Sequence, residues 1–331
     1  MKACSRISPG IPLRLLFLLL AVACCYPSTV WAQAKGEEGD ETIRVDTGLV
    51  DLNVSVFNHD PQRAVGQLVQ KDFVVLEDGQ PQEVVFFASA STPFDLVLLL
   101  DLSGSTSDKL DLIRRSARRF VEAARPTDRI GIVTFTDEPS LISPLTSDRE
   151  ELFKRIKKIK KPDGGTRFWD ALRYVLEIVL RESNGSHRSA VVVMTDGVDN
   201  NLPGVLGNGS ETRFEYLLEM VKQSESIVLP IYLDTEREMV EKQRATEITY
   251  IIAREQLAQL AEESGSLVYE ARRVEDLNGV YEQVIRDLGT VYSLGYRPSN
   301  KLRDGKWRTV AVRLVARPDL ATRTKRGYYA N

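Results

Sequence analysis

Cysteine and histidine are scarce in this chain of 331 residues, and their scarcity limits the chemistry that the chain can perform. All three cysteines lie within the first 25 residues, so the remainder contains no cysteine and must be stable without a disulfide. The two histidines, His59 and His187, lie outside the loops that carry the motifs described below, which argues against a serine nucleophile activated by histidine. The net charge is only −3, so no global positive charge favours nucleic acid.

The first 32 residues have the pattern of an export signal. A segment with three basic residues precedes an apolar run over residues 15–23, and small residues then lead to an Ala-x-Ala-like site at Ala32. The run is short for a membrane span, so we expect cleavage near Ala32 and an extracytoplasmic location, periplasmic or secreted. Membrane association is expected only if the signal stays uncleaved or Cys24 is acylated, and Ala21 is a poor match to the lipoprotein pattern.

Two segments near the chain ends have the alternating pattern of antiparallel strands. They cover residues 43–90, which follow a polar linker at 33–42, and residues 291–331. In the first segment, Phe73–Glu77 and Val84–Phe87 flank Asp78-Gly79-Gln80-Pro81, which predicts a hairpin between them. Because about three strands form a marginal sheet alone, we expect both segments to pair into one smaller antiparallel β-sandwich.

The region between these segments, residues 93–290, alternates apolar runs with amphipathic helices, which predicts an α/β domain with a doubly wound, mostly parallel sheet. Residues 141–145 are expected at a sheet edge because Pro144 cannot donate to a ladder. A helix is predicted from Arg167 to Arg181. Thr212 and Glu215 have the spacing of a capping box for the following helix.

Polar oxygens follow two of the predicted central strands and one glycine-rich loop. Asp101, Ser103 and Ser105 follow the apolar run from Phe94, and Asp196 follows the run from Ala190. Thr166 ends a Gly-Gly-Thr loop between them. The carboxyl ends of parallel strands meet at one sheet edge, where ligands bind. Oxygen ligands favour a hard cation such as Mg²⁺ over zinc or copper, although a capped helix and two polar turns would give the same residues.

The order Asp-x-Ser-x-Ser, Gly-Gly-Thr and Thr-Asp-Gly resembles the von Willebrand factor A domain and its metal-ion-dependent adhesion site. The strand patterns near both chain ends look like an exported bacterial family related to this domain. The resemblance implies a Rossmann-like fold and a metal held by Asp101, Ser103, Ser105, Thr166 and Asp196. The implied metal is Mg²⁺, with Mn²⁺ and Ca²⁺ as alternatives, and the implied partner is a protein with an exposed Asp or Glu.

The long loop over residues 197–210 follows Asp196 and is expected to set ligand selectivity. The residues considered for this role are polar, namely Asp199, Asn200, Asn201 and Asn208. Asp199 is also the obvious nearby spare acid that a metallohydrolase would need, although a turn-forming role is the simpler interpretation. His187 follows Asn-Gly-Ser and is expected in an exposed loop.

The preferred function is an exported, non-enzymatic binding module of adhesion type, which presents a metal to an acidic group of a partner. The alternative is a structural subunit of an envelope complex, in which the metal only pins loops. The basic helix faces, at residues 114–119 and 154–161, are interpreted as solvated surfaces rather than as nucleic-acid sites.

Overall fold

The computed structural model describes residues 48–60, 63–104, 109–160, 164–182 and 187–330. The predicted signal at 1–32, the linker at 33–42 and Ser105 of the first motif lie outside these ranges. No described helix has both the length and the hydropathy that a bilayer-spanning segment needs.

A six-stranded mixed sheet forms the centre of the fold. In spatial order the strands are β10, β9, β8, β5, β6 and β7. Their bounds in chain order are β5 Phe94–Asp101, β6 Arg129–Phe135, β7 Pro139–Thr146, β8 Arg188–Thr195, β9 Ile227–Leu233 and β10 Tyr269–Ala271. All neighbours are parallel except β7, which pairs antiparallel with β6 at one edge. The edge position predicted from Pro144 is confirmed.

Seven α-helices lie between or after these strands in the described part of the chain. They are α1 Leu110–Ala123, α2 Arg149–Lys157, α3 Phe168–Tyr174, α4 Phe214–Gln223, α5 Glu236–Glu241, α6 Glu247–Glu263 and α7 Leu277–Leu288. The strand β5 shows how they are placed. Its even-numbered leucines, such as Leu98, share a core with α1, α2 and α7, whereas Val97 and Leu99 share another core with α3, α4 and α6. Both faces of β5 are therefore apolar because helices cover both, and each fully buried leucine contributes about 2 kcal/mol.

Two helices differ from the sequence prediction at their ends. The helix predicted from Arg167 to Arg181 is a regular α-helix only as far as Tyr174. It continues as a π-helical turn over Val175–Val179 and a 3-10 turn over Leu180–Glu182. The predicted capping box of α4 is wrong, since the residue before the helix is Arg213 and no side chain caps it. The backbone N–H groups of Glu211 and Thr212 donate instead to the Asp170 carboxylate, at 2.8 and 2.9 Å. An acid on α3 therefore binds backbone donors that precede α4.

The segments near the chain ends form two further sheets, each of four antiparallel strands. The first segment supplies β1 Val50–Asn58, β2 Phe73–Glu77, β3 Gln80–Gln82 and β4 Val84–Ala88. The second supplies β11 Val291–Tyr296, β12 Trp307–Leu314, β13 Leu320–Arg323 and β14 Gly327–Tyr329. The spatial orders are β13, β1, β11, β4 and β14, β12, β2, β3. Each segment thus contributes four strands rather than three, and each sheet combines two strands from each segment.

The inner faces of these two sheets share one apolar core. Leu52 and Phe73 from the first segment lie in it with Leu294, Val310 and Val312 from the second. The buried side chain of Glu77 accepts hydrogen bonds from the hydroxyls of Tyr296 and Tyr328 at 2.7 and 2.8 Å. Contacts between the two end segments, expected from their alternating patterns, are therefore present in both sheets.

The predicted hairpin has a different second strand. Asp78 and Gly79 both have positive φ, 47° and 80°, which suits a two-residue turn, and β2 returns along the short strand β3. Residues 84–88 leave that sheet and pair with β11 in the other one. The turn lies within the predicted connection, but Gln80 and Pro81 belong to β3 rather than to the turn. The predicted partner of β2 is wrong, because only the three residues of β3 stay in the same sheet after the turn.

Arg188 holds together the two places where the chain passes between the central sheet and the end sheets. Its guanidinium donates to the carbonyl oxygens of Ala90, Thr92 and Val291 and lies over the Phe94 ring at 4.0 Å. Burial, and then the nearby cation of Arg125, lower the pKa of Arg188 to about 9, so the group stays charged at neutral pH. One side chain thus binds the segment that leads into the central sheet and the segment that leads out of it.

Replacing Arg188 with methionine should lower the free energy of unfolding by about 3 kcal/mol, because buried carbonyl groups lose their charged donor. The measurement is urea denaturation. Arg115 is an exposed arginine on α1, and the control Arg115→Met should change the free energy by less than about 0.5 kcal/mol. Equal effects of the two substitutions would show that other contacts hold the crossing segments.

Candidate functional site

The two acids of the predicted metal site lie side by side at the carboxyl edge of the central sheet. Asp101 is the last residue of β5, and Asp196 directly follows β8, which is the parallel neighbour of β5. Ser103 lies in the loop after β5, and Thr166 lies just before α3. All four side chains are buried or nearly so. The fold therefore brings together four of the five predicted ligands, and the fifth, Ser105, lies outside the described residues.

Two threonines that the motifs do not include donate hydrogen bonds to these acids. The hydroxyl of Thr195 donates to Asp101 Oδ2 at 2.6 Å, and the hydroxyl of Thr235 donates to Asp196 Oδ2 at 2.7 Å. Thr235 also lies 2.9 Å from the hydroxyl of Tyr250. Thr195 ends β8, and Thr235 comes two residues after β9. The rule that led to the acids, polar side chains at adjacent strand ends, could have identified both threonines.

Burial and mutual repulsion dominate the electrostatics of the two acids. Burial raises the pKa of Asp101, the charge of Asp196 raises it further, and hydrogen bonds from Ser103 and Thr195 oppose the rise. Asp196 also raises the pKa of the Tyr250 hydroxyl, after the larger effect of burial. Two carboxylates in a low-dielectric setting make this edge a region of concentrated negative potential, which a cation would relieve.

The side chains at this edge fit a hard divalent cation. They offer carboxylate and hydroxyl oxygens, the ligands that Mg²⁺ and Ca²⁺ take in proteins. Within the described ranges no three His, Cys, Asp or Glu side chains converge to hold a metal. A cation bound here would therefore depend on hydroxyl oxygens as well as on the two acids.

The loop of Thr166 is held in place by Asn200 and Asp137. Asn200 Oδ1 accepts from the Thr166 N–H at 3.2 Å, and the Asn200 N–H donates to the Thr166 carbonyl at 2.9 Å. Asp137 Oδ1 accepts from the Gly165 N–H at 2.9 Å. A Cβ on Gly164 would lie 2.3 Å from Asp137, and one on Gly165 would lie 2.3 Å from Asn200. The glycine pair is thus required by close packing around the backbone.

The long loop after Asp196 is organised around Asp199. This residue is fully buried and accepts hydrogen bonds from Trp169, Asn201 and Ser210, while the role of the loop in ligand selectivity stays a prediction. It holds the loop closed from within. Asn200 is half-buried beside Thr166, and Asn201 and Asn208 are exposed.

An open pocket of about 320 Å³ lies at this edge of the sheet. Ser103, Thr166 and Asp196 line its polar side. The remaining wall is built by the loop over residues 197–210 and by the segment between β9 and α6. Three of the predicted ligands therefore border an open pocket.

His187 occupies a different part of the molecule. Its Nδ1 lies 2.9 Å from Asp95 Oδ1, and Asp95 also pairs with Arg129 at 2.6 Å. The predicted loop position is confirmed, since His187 lies in a bend before β8, but the residue is half-buried rather than exposed because the buried Asp95 binds its ring. Asp95 and Asp101 are separated by about 20 Å along the strand. His187 therefore lies at the amino ends of the strands, whereas Ser103 lies at their carboxyl ends.

Residues 96–198 match the family model of the von Willebrand factor type A domain. The chain contains a von Willebrand factor type A (VWA) domain. An uncharacterized protein of Borreliella burgdorferi is 32% identical to this chain over 116 residues, which cover 32% of this chain and 33% of that protein. The collagen alpha-1(VI) chain of Gallus gallus is 25% identical over 117 residues, which cover 32% of this chain and 12% of that one.

A likeness in structure is found to the proximal thread matrix protein 1 of the mussel byssus. The TM-score is 0.48 at 16% identity, and the match covers 64% of this chain and 51% of that one. The matches to the two sequence relatives cover only about a third and about an eighth of those proteins' own lengths.

Removing the Asn200 side chain should loosen Thr166. In Asn200→Ala, hydrogen exchange at the Thr166 amide should become faster, and Mg²⁺ affinity measured by calorimetry should fall by about tenfold. Asn208→Ala is the control, since that exposed residue contacts Asn200 through its backbone carbonyl, at 3.4 Å. Unchanged exchange and affinity in Asn200→Ala would mean that Thr166 keeps its place without Asn200.

Proposed function

We propose that this chain is an exported, non-enzymatic protein-binding module of adhesion type. Its VWA domain would present a divalent cation, Mg²⁺ in the first place, to an acidic group of a partner protein. The observation that carries the proposal is the convergence of Ser103, Thr166 and Asp196 on one open pocket, directly beside the buried Asp101. The family match over residues 96–198 supports it.

The donor set suits recognition of an acidic group. Only Asp101 and Asp196 bring negative charge, and Ser103, Ser105 and Thr166 would add neutral oxygens. A divalent cation held by such ligands keeps positive character and attracts an outside carboxylate into an open position. Mn²⁺ and Ca²⁺ could be accepted by the same oxygens. The protein's own residues would hold the cation and leave its outer side accessible.

We also propose a division of the chain that keeps this edge free. The VWA domain would cover residues 93–290, and residues 43–90 and 291–331 would form one β-sandwich. Support comes from Arg188 at the amino end of β8, which binds the crossing segments at Ala90, Thr92 and Val291. The sandwich would thus attach at the amino edge of the central sheet. The carboxyl edge, with the pocket, would face solvent and a partner.

The proposed location is extracytoplasmic, after removal of residues 1–32. This rests on the basic segment, apolar run and Ala32 site of the sequence alone. The competing function is a structural subunit of an envelope complex, in which the cation only pins loops. The two functions differ in what a chelator should do, because recognition loses the partner whereas a scaffold loses stability.

The cation is tested with Asp101→Asn. Calorimetry on the wild type should show one Mg²⁺ per chain, and excess Mg²⁺ at one hundred times its Kd should raise the free energy of unfolding by about 2.7 kcal/mol. The variant should lose this gain, yet in chelator it should unfold at a higher temperature than the wild type, because one of two buried like charges is gone.

The matched control for this test is Asp234→Asn, which changes an exposed acid at the end of the neighbouring strand β9. It should keep the response to Mg²⁺. If Asp101→Asn binds Mg²⁺ as tightly as the wild type, the proposed site is wrong.

Thr166 tests recognition separately from metal binding. Partner proteins would be captured from the native envelope with and without chelator, and their affinity then measured for variants. Thr166→Ala should weaken partner binding more than Mg²⁺ binding, because a neutral ligand next to the open position is lost. Thr166→Ser keeps the hydroxyl and should behave like the wild type. Equal losses in both variants would indicate loop packing, and capture that survives chelation would favour the scaffold role.

A further inference from the structure

The segment between β9 and α6, residues 234–246, is fastened to the functional edge and carries one side of the pocket. Thr235 donates to Asp196, and Lys109, which precedes α1, pairs with Glu238 of α5 at 3.2 Å. After α5 the backbone turns sharply at Gln243, whose φ of 56° is unusual for a residue with a side chain. This turn places Arg244 on the pocket wall, next to the first metal loop.

Arg244 contributes a positive charge to the lining of this pocket. Its side chain is exposed, and a Cβ on Gly104 would lie 3.6 Å from its Nη1. Other cations of the segment are paired, since Arg237 binds Glu241 at 2.9 Å and Lys242 binds Glu238 at 2.7 Å. Within the described ranges Arg244 has neither an ion-pair partner nor a side-chain hydrogen bond. A guanidinium in this position can bind an incoming carboxylate through two N–H groups.

Apolar residues also line the pocket, next to one exposed leucine. Leu206 is 89% exposed, more than any other large hydrophobic residue that the structure describes. Val205 lies beside it on the pocket wall, and the buried side chain of Met239 continues the apolar surface from α5. An exposed leucine at the rim of a polar site is suited to contact an apolar group of a bound partner.

We propose that the pocket recognises an acidic residue followed by an aliphatic residue in an exposed segment of a protein partner. The carboxylate would lie between the predicted metal ligands and Arg244, and the aliphatic side chain would pack on Leu206 and Val205. This inference rests on the proposed function and adds specificity to it. Charge complementarity selects the acid, because Arg244 and the cation are both positive. The apolar wall distinguishes such a segment from a polyanion, which would have no group to place there.

The experiment uses fluorescein-labelled peptides with a central glutamate–leucine, glutamate–serine or glutamine–leucine pair. Fluorescence anisotropy is measured on the whole protein in excess Mg²⁺ and in chelator, and Mg²⁺ binding is measured by calorimetry. The wild type should bind the glutamate–leucine peptide at least tenfold more tightly than either of the others, and only with Mg²⁺ present.

Two variants and two matched controls separate the parts of the proposal. Arg244→Gln should weaken both glutamate peptides at least tenfold, and Leu206→Ser should weaken the glutamate–leucine peptide to the level of glutamate–serine. Both variants should bind Mg²⁺ as the wild type does. Arg237→Gln on the neighbouring helix and Leu302→Ser, an exposed leucine in the second end segment, should change nothing.

A failure of this inference can be distinguished from a failure of the proposed function. If the wild type binds Mg²⁺ and the glutamate peptides, but Arg244→Gln and Leu206→Ser bind them equally well, the inference is overturned and the proposed function stands. Loss of Mg²⁺ binding in Arg244→Gln would also overturn it, because the arginine would then act through the metal site. If no Mg²⁺ binds the wild type, or peptide binding is indifferent to chelator, the proposed function itself fails.

Discussion

Two carboxylates buried side by side at the end of neighbouring strands impose the main physical constraint on this molecule. Asp101 and Asp196 are placed together by the parallel pairing of β5 and β8, and burial strengthens their repulsion. Hydroxyls of Thr195 and Thr235 donate to them, which reduces the cost of removing the acids from water. A cation bound beside the two acids would reduce this desolvation cost much further. The stability of this edge and its affinity for a cation are therefore two results of one arrangement.

The two edges of the central sheet carry different kinds of polar contact. At the amino edge, cations are enclosed, since Arg188 is bound to three carbonyl groups and Arg129 lies against Asp95. At the carboxyl edge, acids and hydroxyls lie below an open pocket, and the cation Arg244 faces outward. The enclosed contacts fix how the end sheets attach. The open ones remain available to a ligand, and the length of the strands keeps the two sets apart.

Much of the fold and of the site could be inferred from the sequence, because the signals concerned are local. The run from Phe94 to Asp101 predicts a strand that is covered on both faces and ends in an acid, and the structure contains it. The capping box at Thr212 failed because an acid distant in the sequence, Asp170, binds the backbone there. The partner of β2 was wrong because the strand after the turn ends three residues later. Such outcomes depend on tertiary contacts, for which a single sequence gives no spacing rule.

The residues of the candidate site likewise include some that the sequence identifies and some whose position depends on tertiary contacts. Asp101, Ser103, Thr166 and Asp196 stand in motifs whose order along the chain is informative, and they converge. Asp199 is in the expected loop, but its burial follows from contacts with Trp169 and Ser210 that pattern alone does not indicate. Arg244 lies in a charged stretch, residues 235–250, whose structure the sequence left open. Its position depends on the turn at Gln243.

The pairing of early strands with late strands in both end sheets determines the order in which the molecule can be completed. β1 pairs with β11 and β13, and β2 pairs with β12, so each ladder joins residues more than 200 positions apart. During synthesis or translocation, strands β1, β2 and β4 emerge first and must wait for their partners. The central domain can close in that interval, because its own ladders lie between residues 94 and 271. Contacts of such high sequence separation form slowly, and unpaired strand edges are prone to aggregation in the meantime. A chain truncated before residue 291 would lack one of the two central strands of each end sheet, β11 in one and β12 in the other.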